Sequence, residues 1–184
     1  MKKKKPLKTA ELVLNESTPF LNLKKEVITE TALPVLVISL APLLLAHTNQ
    51  NQIILGTIVN TTLFLVTMRM GLINAVFISF IPSLIALTRG MLPPQAVMLL
   101  PFIMLGNIAM VSTFFALKIN PYGKILLSSL VKTIFMIIPL VIGIQISSSV
   151  AFMLSWPQLL TSLLGGMVAL GLNSFLKGKI KDSF

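Results

Sequence analysis

The chain has 184 residues, 55% of them hydrophobic and only 11% charged, against about 25% charged in an ordinary globular protein. So little polar surface cannot cover a water-soluble fold, and the lack of cysteine excludes disulfides, iron–sulfur clusters, thiolate zinc sites and thiol catalysis. The net charge is +10, but the basic residues sit at the chain ends and between apolar runs, the positive-inside pattern of a membrane protein rather than a nucleic-acid-binding surface.

The N-terminal segment, residues 1–26, is Lys-rich and carries Leu12, Val13, Leu14, Phe20, Leu21 and Leu23 among Glu11, Glu16, Lys24 and Lys25. It reads either as an interfacial helix on the inner leaflet or as a disordered tail drawn to anionic lipids, with Pro19 interrupting any single helix. No convincing signal peptide is expected in it, because the first apolar run starts late and is long enough to remain as a span.

About 20 helical residues cross a 30 Å hydrocarbon core. Runs of that kind lie at about 27–47, 53–69, 72–88, 96–117, 123–145 and 157–176, followed by a basic tail over 177–184. The expected fold is therefore an all-α membrane protein, a bundle of six transmembrane helices over residues 27–176. The second and third runs are parted only by Met70 and Gly71, a tight helical hairpin. The longest break, Ser147 to Pro157, is itself partly apolar. Arg69, Lys118, Lys124 and the lysines of both ends fall on one side if the termini are cytoplasmic; the outer loops then hold only Arg89 and His47. The chain is expected in the cell membrane, multi-pass, with both termini inside.

Polar residues within these runs are the informative ones. Lys132 lies near the middle of the fifth span, where an ionisable group costs at least a few kcal/mol and must face the bundle interior or a cavity. The acids are Glu11, Glu16, Glu26, Glu30 and Asp182, so residues 31–181 offer Lys132 no carboxylate. It is either a neutral amine, or a structural lysine that snorkels or is held by carbonyls and amides, or a group awaiting an anionic or electron-rich ligand. Asn60 and Asn107 fall near the middles of spans two and four, and serve as interhelical hydrogen-bonding groups or as pocket lining. Pro34, Pro42, Pro82, Pro101 and Pro139 fall within spans, where each favours a kink. Ser162, Gly165, Gly166 and Ala169 form a small-residue strip for close helix packing, and Trp156 opens the sixth span at an interface, with Gln158 beside it.

Catalytic constellations are absent from the spans. One histidine, no cysteine and no intramembrane acid rule out His–Asp triads, carboxylate pairs, metal clusters and carboxylate ion relays there. No phosphate-cradling Gly-rich loop is present, so the chain does not hydrolyse ATP. No enzyme activity and no cofactor are expected.

The runs Leu55-Gly56-Thr57-Ile58-Val59-Asn60-Thr61-Thr62-Leu63-Phe64 and Ile81-Pro82-Ser83-Leu84-Ile85-Ala86-Leu87, with Leu92-Pro93, Pro101-Phe102-Ile103-Met104-Leu105-Gly106-Asn107 and Ser155-Trp156-Pro157-Gln158-Leu159, resemble the substrate-binding S components of energy-coupling factor transporters. The resemblance covers about residues 40–175. It implies six helices with cytoplasmic termini and a high-affinity binder for a vitamin or other micronutrient. Its implied partners are a transmembrane T component and two cytoplasmic ATPase subunits. It also implies an outward pocket from spans four to six, which picks out Asn107, Lys132, Trp156 and Gln158, with Asn60 added. One feature departs from the family: its docking alanines stand four apart on the first span, whereas Ala41 and Ala46 are five apart. The alternative from the same residues is a non-transporting membrane scaffold of a cell-envelope assembly, using its small residues and amides purely for packing.

Overall fold

The computed structural model of the chain describes residues 33–41, 51–88, 97–144 and 146–181. The N-terminal segment 1–26, most of the first expected span, Ala46, His47, Arg89 and the last three residues lie outside them. The described residues from Pro34 onward belong to one compact unit, and all its regular structure there is helical: α1 (33–41), α2 (Asn51–Met70), α3 (Leu72–Thr88), α4 (Leu100–Ala116), α5 (Pro121–Val141), α6 (Ser148–Leu154) and α7 (Trp156–Lys181).

Helix ends follow local chemistry. Gly71 (φ 84°) turns α2 directly into α3, a left-handed residue that glycine adopts without steric cost. Asn120 caps α5 by accepting the Gly123 N–H at 2.6 Å, with Pro121 in the first turn, where its missing N–H costs nothing. The other end of α5 stops at Val141, short of the expected 145. Gly143 (φ 80°) lets the Ile144 N–H reach the Pro139 carbonyl and the Gly143 N–H reach that of Leu140, the paired bonds of a Schellman cap. Pro101 is corrected by the structure from a mid-span kink to the first turn of α4, which begins at Leu100. The break after α5 holds the short helix α6, and α7 continues to Lys181, past the expected end of the span.

The helices close into a ring. α2 packs on α3, α3 on α4, α4 on α5, α5 on α7, and α7 back on α2, the last pair among the most extensive contacts. Gly165 sets the α7–α2 distance: a Cβ there would lie 2.7 Å from Asn60 Cβ and 2.8 Å from the Thr61 nitrogen. Gly166 does the same toward α5, where a Cβ would meet Ile125 at 2.5 Å. Together with buried Ser162 and Ala169, the small-residue strip thus seats α7 in the groove between α2 and α5. Phe64 and Phe114 close the adjoining core edge to face, with centroids 5.0 Å apart.

Polarity is inverted relative to a soluble protein. Ile73, Phe77, Ile134, Val141 and Phe175 are each more than 60% exposed, while Asn60, Ser129, Ser162, Thr161, Asn107 and Lys132 are buried. A large apolar exterior of this kind needs lipid, not water, as its solvent. Ile53–Met70, Pro121–Val141 and the run Ser148–Leu176 are long and apolar enough to cross a membrane, and Leu72–Ile85 and Leu100–Ala116 are shorter apolar helices. The fold is an all-α bundle with the build of a multi-pass membrane protein.

Candidate functional site

Hydrogen bonds and close contacts fix which ends coincide. Arg69 Nε donates to Asn173 Oδ1 at 3.1 Å, so α2 and α7 run parallel. Ile125 meets Gly166 and Ser129 Oγ lies 2.8 Å from Ser162 Oγ, so α5 runs antiparallel to α7. The Gly71 turn, the α4–α5 connection and the C-terminal part of α7 therefore share one end, which carries Arg69, Lys118 and Lys124. Lys124 lies over the Phe114 ring, 5.6 Å from its centroid. Trp156 and α6 lie at the other end.

At mid-depth, Lys132 extends from α5 and its Nζ donates to Asn60 Oδ1 at 2.5 Å. Both residues are buried, at 4% and 0% exposure. α2 and α5 are not direct neighbours in the ring. The lysine arm therefore crosses the bundle interior to make this bond. Asn60 Nδ2 in turn donates to Thr161 Oγ1 at 3.3 Å, and that hydroxyl donates to the Gln158 carbonyl at 3.1 Å. Gln158 Nε2 donates onward to the Met153 carbonyl of α6 at 3.3 Å. A continuous polar chain thus links the central amine to the end of the bundle that holds α6. Beside it, Ser129 and Ser162 bond to each other, and Ser162 Oγ reaches Met110 Sδ at 3.1 Å.

A lysine amine carries two N–H donors when neutral and three when charged, and Asn60 takes one. Residues 31–181 hold no acid, so the amine has no anionic partner among the described residues. The remaining buried hydroxyls mostly follow the economical rule of membrane helices and donate back along their own helix: Thr67 to the Leu63 carbonyl and Thr133 to that of Ser129, at 2.7 and 2.8 Å.

The five residues singled out from sequence separate in the structure. Asn60 and Lys132 are bonded directly. Gln158 joins them through its backbone carbonyl and Thr161. Asn107 is buried on α4 at 3% exposure, with its Oδ1 lacking a hydrogen-bond partner among the described residues. It follows Gly106, where a Cβ would lie 3.4 Å from the Lys132 carbonyl oxygen, so it stands where α4 passes Lys132. Trp156 is 53% exposed and packs edge to face on Phe152, with centroids 5.6 Å apart; it does not join the buried chain. Thr161 and Ser83 were not anticipated. Thr161 had a usable signal, one position before the small-residue strip, whereas a serine in an apolar run does not reveal whether it bonds its own helix.

No family model matches the chain, and no characterised protein or solved structure matches it either.

Proposed function

We propose that this protein is a membrane-embedded solute-binding subunit of the S-component kind, serving uptake energised by partner ATPases. The single observation that carries the reading is the central amine: Lys132 crosses the bundle to the Asn60 amide, with a donor to spare and no acid beside it among the described residues. Interhelical packing alone is better served by apolar or small residues, since a buried charge costs more than it returns unless fully paired. A small solute with a carboxylate, phosphate or electron-rich carbonyl completes the hydrogen bonding of that amine.

In this reading six spans cross the cell membrane, the first of them built on α1, and both termini are cytoplasmic. The end bearing Arg69, Lys118 and Lys124 then faces inward, as the bias of basic residues requires. The solute enters from the opposite end, where α6 and Trp156 lie, and the loaded subunit works with a T component and two ATPases. Lysines of residues 1–26 add attraction to anionic lipids.

The test is mass spectrometry of small molecules released on denaturing the purified protein. The wild type is expected to release one anionic or carbonyl-bearing solute in near-stoichiometric amount, and Lys132→Met to release none. No solute from either protein leaves the scaffold reading in its place.

A further inference from the structure

Three buried side-chain atoms lack a hydrogen-bond partner among the described residues: Arg69 Nη2 at the basic end, and two others on the α3–α4 side. Asn107 Oδ1 on α4 and Ser83 Oγ on α3 are fully buried without a hydrogen-bond partner, in residues only 3% and 4% exposed. α3 and α4 pack on each other. Asn60 precedes Gly71 by 11 positions and Ser83 follows it by 12, so the hairpin sets both at about 17 Å from its turn, at about 1.5 Å per residue. Asn107 stands where α4 passes Lys132. Pro82, next to Ser83 within α3, has no N–H to give the Ile78 carbonyl in the same stretch.

The two sides of the interior therefore ask for opposite chemistry. Lys132 offers donors; Asn107 Oδ1 needs one, and the Ser83 hydroxyl bonds either way. We propose that Ser83 and Asn107 form a donor-seeking subsite, which takes the N–H or O–H edge of the same solute whose acceptor group Lys132 holds. The inference rests on the solute-binding reading above and narrows it. The ligand is a small molecule with a carboxylate or carbonyl at one edge and amide, ureido, amino or hydroxyl hydrogens at another. Purely acceptor-bearing anions satisfy only half of the site.

An orphaned acceptor kept for a ligand costs stability in the empty protein, and its removal relieves that cost. The full-length protein, purified and dialysed free of small molecules, is compared with Asn107→Leu and Ser83→Ala by thermal unfolding. A second preparation, not dialysed, is assayed by mass for the solute retained from the expression host. Both variants are expected to keep or raise Tm when empty, while retained solute falls by about tenfold or more, the loss of one good hydrogen bond. A drop in Tm of about 4 °C or more for both variants would show that the two groups already have structural partners, such as buried water, and overturns the proposal. If Lys132→Met loses the solute but Asn107→Leu and Ser83→Ala retain it, the subsite falls and the binding function stands. If the wild type itself retains none, both fall together.

Discussion

Lys132 and Asn60 are mutually dependent. Asn60→Leu removes the partner of a buried amine, which typically costs about 3–5 kcal/mol. Lys132→Met instead leaves an amide whose Nδ2 still bonds Thr161, a smaller loss of about 1–3 kcal/mol. The double variant Lys132→Met/Asn60→Leu replaces both with apolar groups and is expected to recover most of that loss. Thermal unfolding of the four proteins gives the coupling, and additive losses would show that the pair does not bond. The sequence marks each residue alone, because one amine and one amide in apolar runs are anomalies at any depth. It does not pair them, since they are 72 positions apart and the helices that bear them are not ring neighbours. Asn107 is equally visible in the sequence, but its lack of a partner is a property of its neighbours and cannot be read from its own segment.

Among the elements, α7 is the one whose packing is most tightly specified. Gly165→Leu has no room, with the α2 backbone nitrogen of Thr61 already 2.8 Å from the position of a Cβ. Overpacking of this sort costs about 1–3 kcal/mol, and here it also parts Asn60 from Thr161. Gly171 is the control: it lies in the same helix with open space around the added carbon, so Gly171→Ala is expected to be neutral or to gain up to about 1 kcal/mol from helix propensity. Equal destabilisation by the two changes, measured as thermal unfolding in detergent, would contradict the close α2–α7 contact. Most helix positions follow from hydropathy, including the α2–α3 hairpin. The ends depend on finer chemistry: the Schellman cap at Gly143 shortens α5, and Pro101 marks where α4 begins rather than where it bends. α6 escaped notice because seven residues give too few turns for a helical period to show.

At the scale of the whole molecule, charge and polarity supply the organising asymmetry. The apolar exterior gives the bundle the build of a membrane protein, and in the proposed topology the basic end at Arg69, Lys118 and Lys124 faces the cytoplasm. The chain contains no cysteine, so single cysteines can be introduced without background. Lys118 and Trp156 are both exposed and lie at opposite ends of the bundle. Lys118→Cys is expected to react with a membrane-impermeant maleimide only in inverted vesicles, and Trp156→Cys only in intact cells. Labelling of both from one side would overturn the topology.

The central claim is that the polar interior holds a solute against the amine of Lys132, and a density map of the protein purified without stripping its small molecules tests it most directly. A bound molecule is expected in the bundle interior, with an oxygen at hydrogen-bonding distance, about 2.7–3.2 Å, from Lys132 Nζ. An interior filled only by side chains, with Lys132 bonded to Asn60 and nothing else, would contradict it.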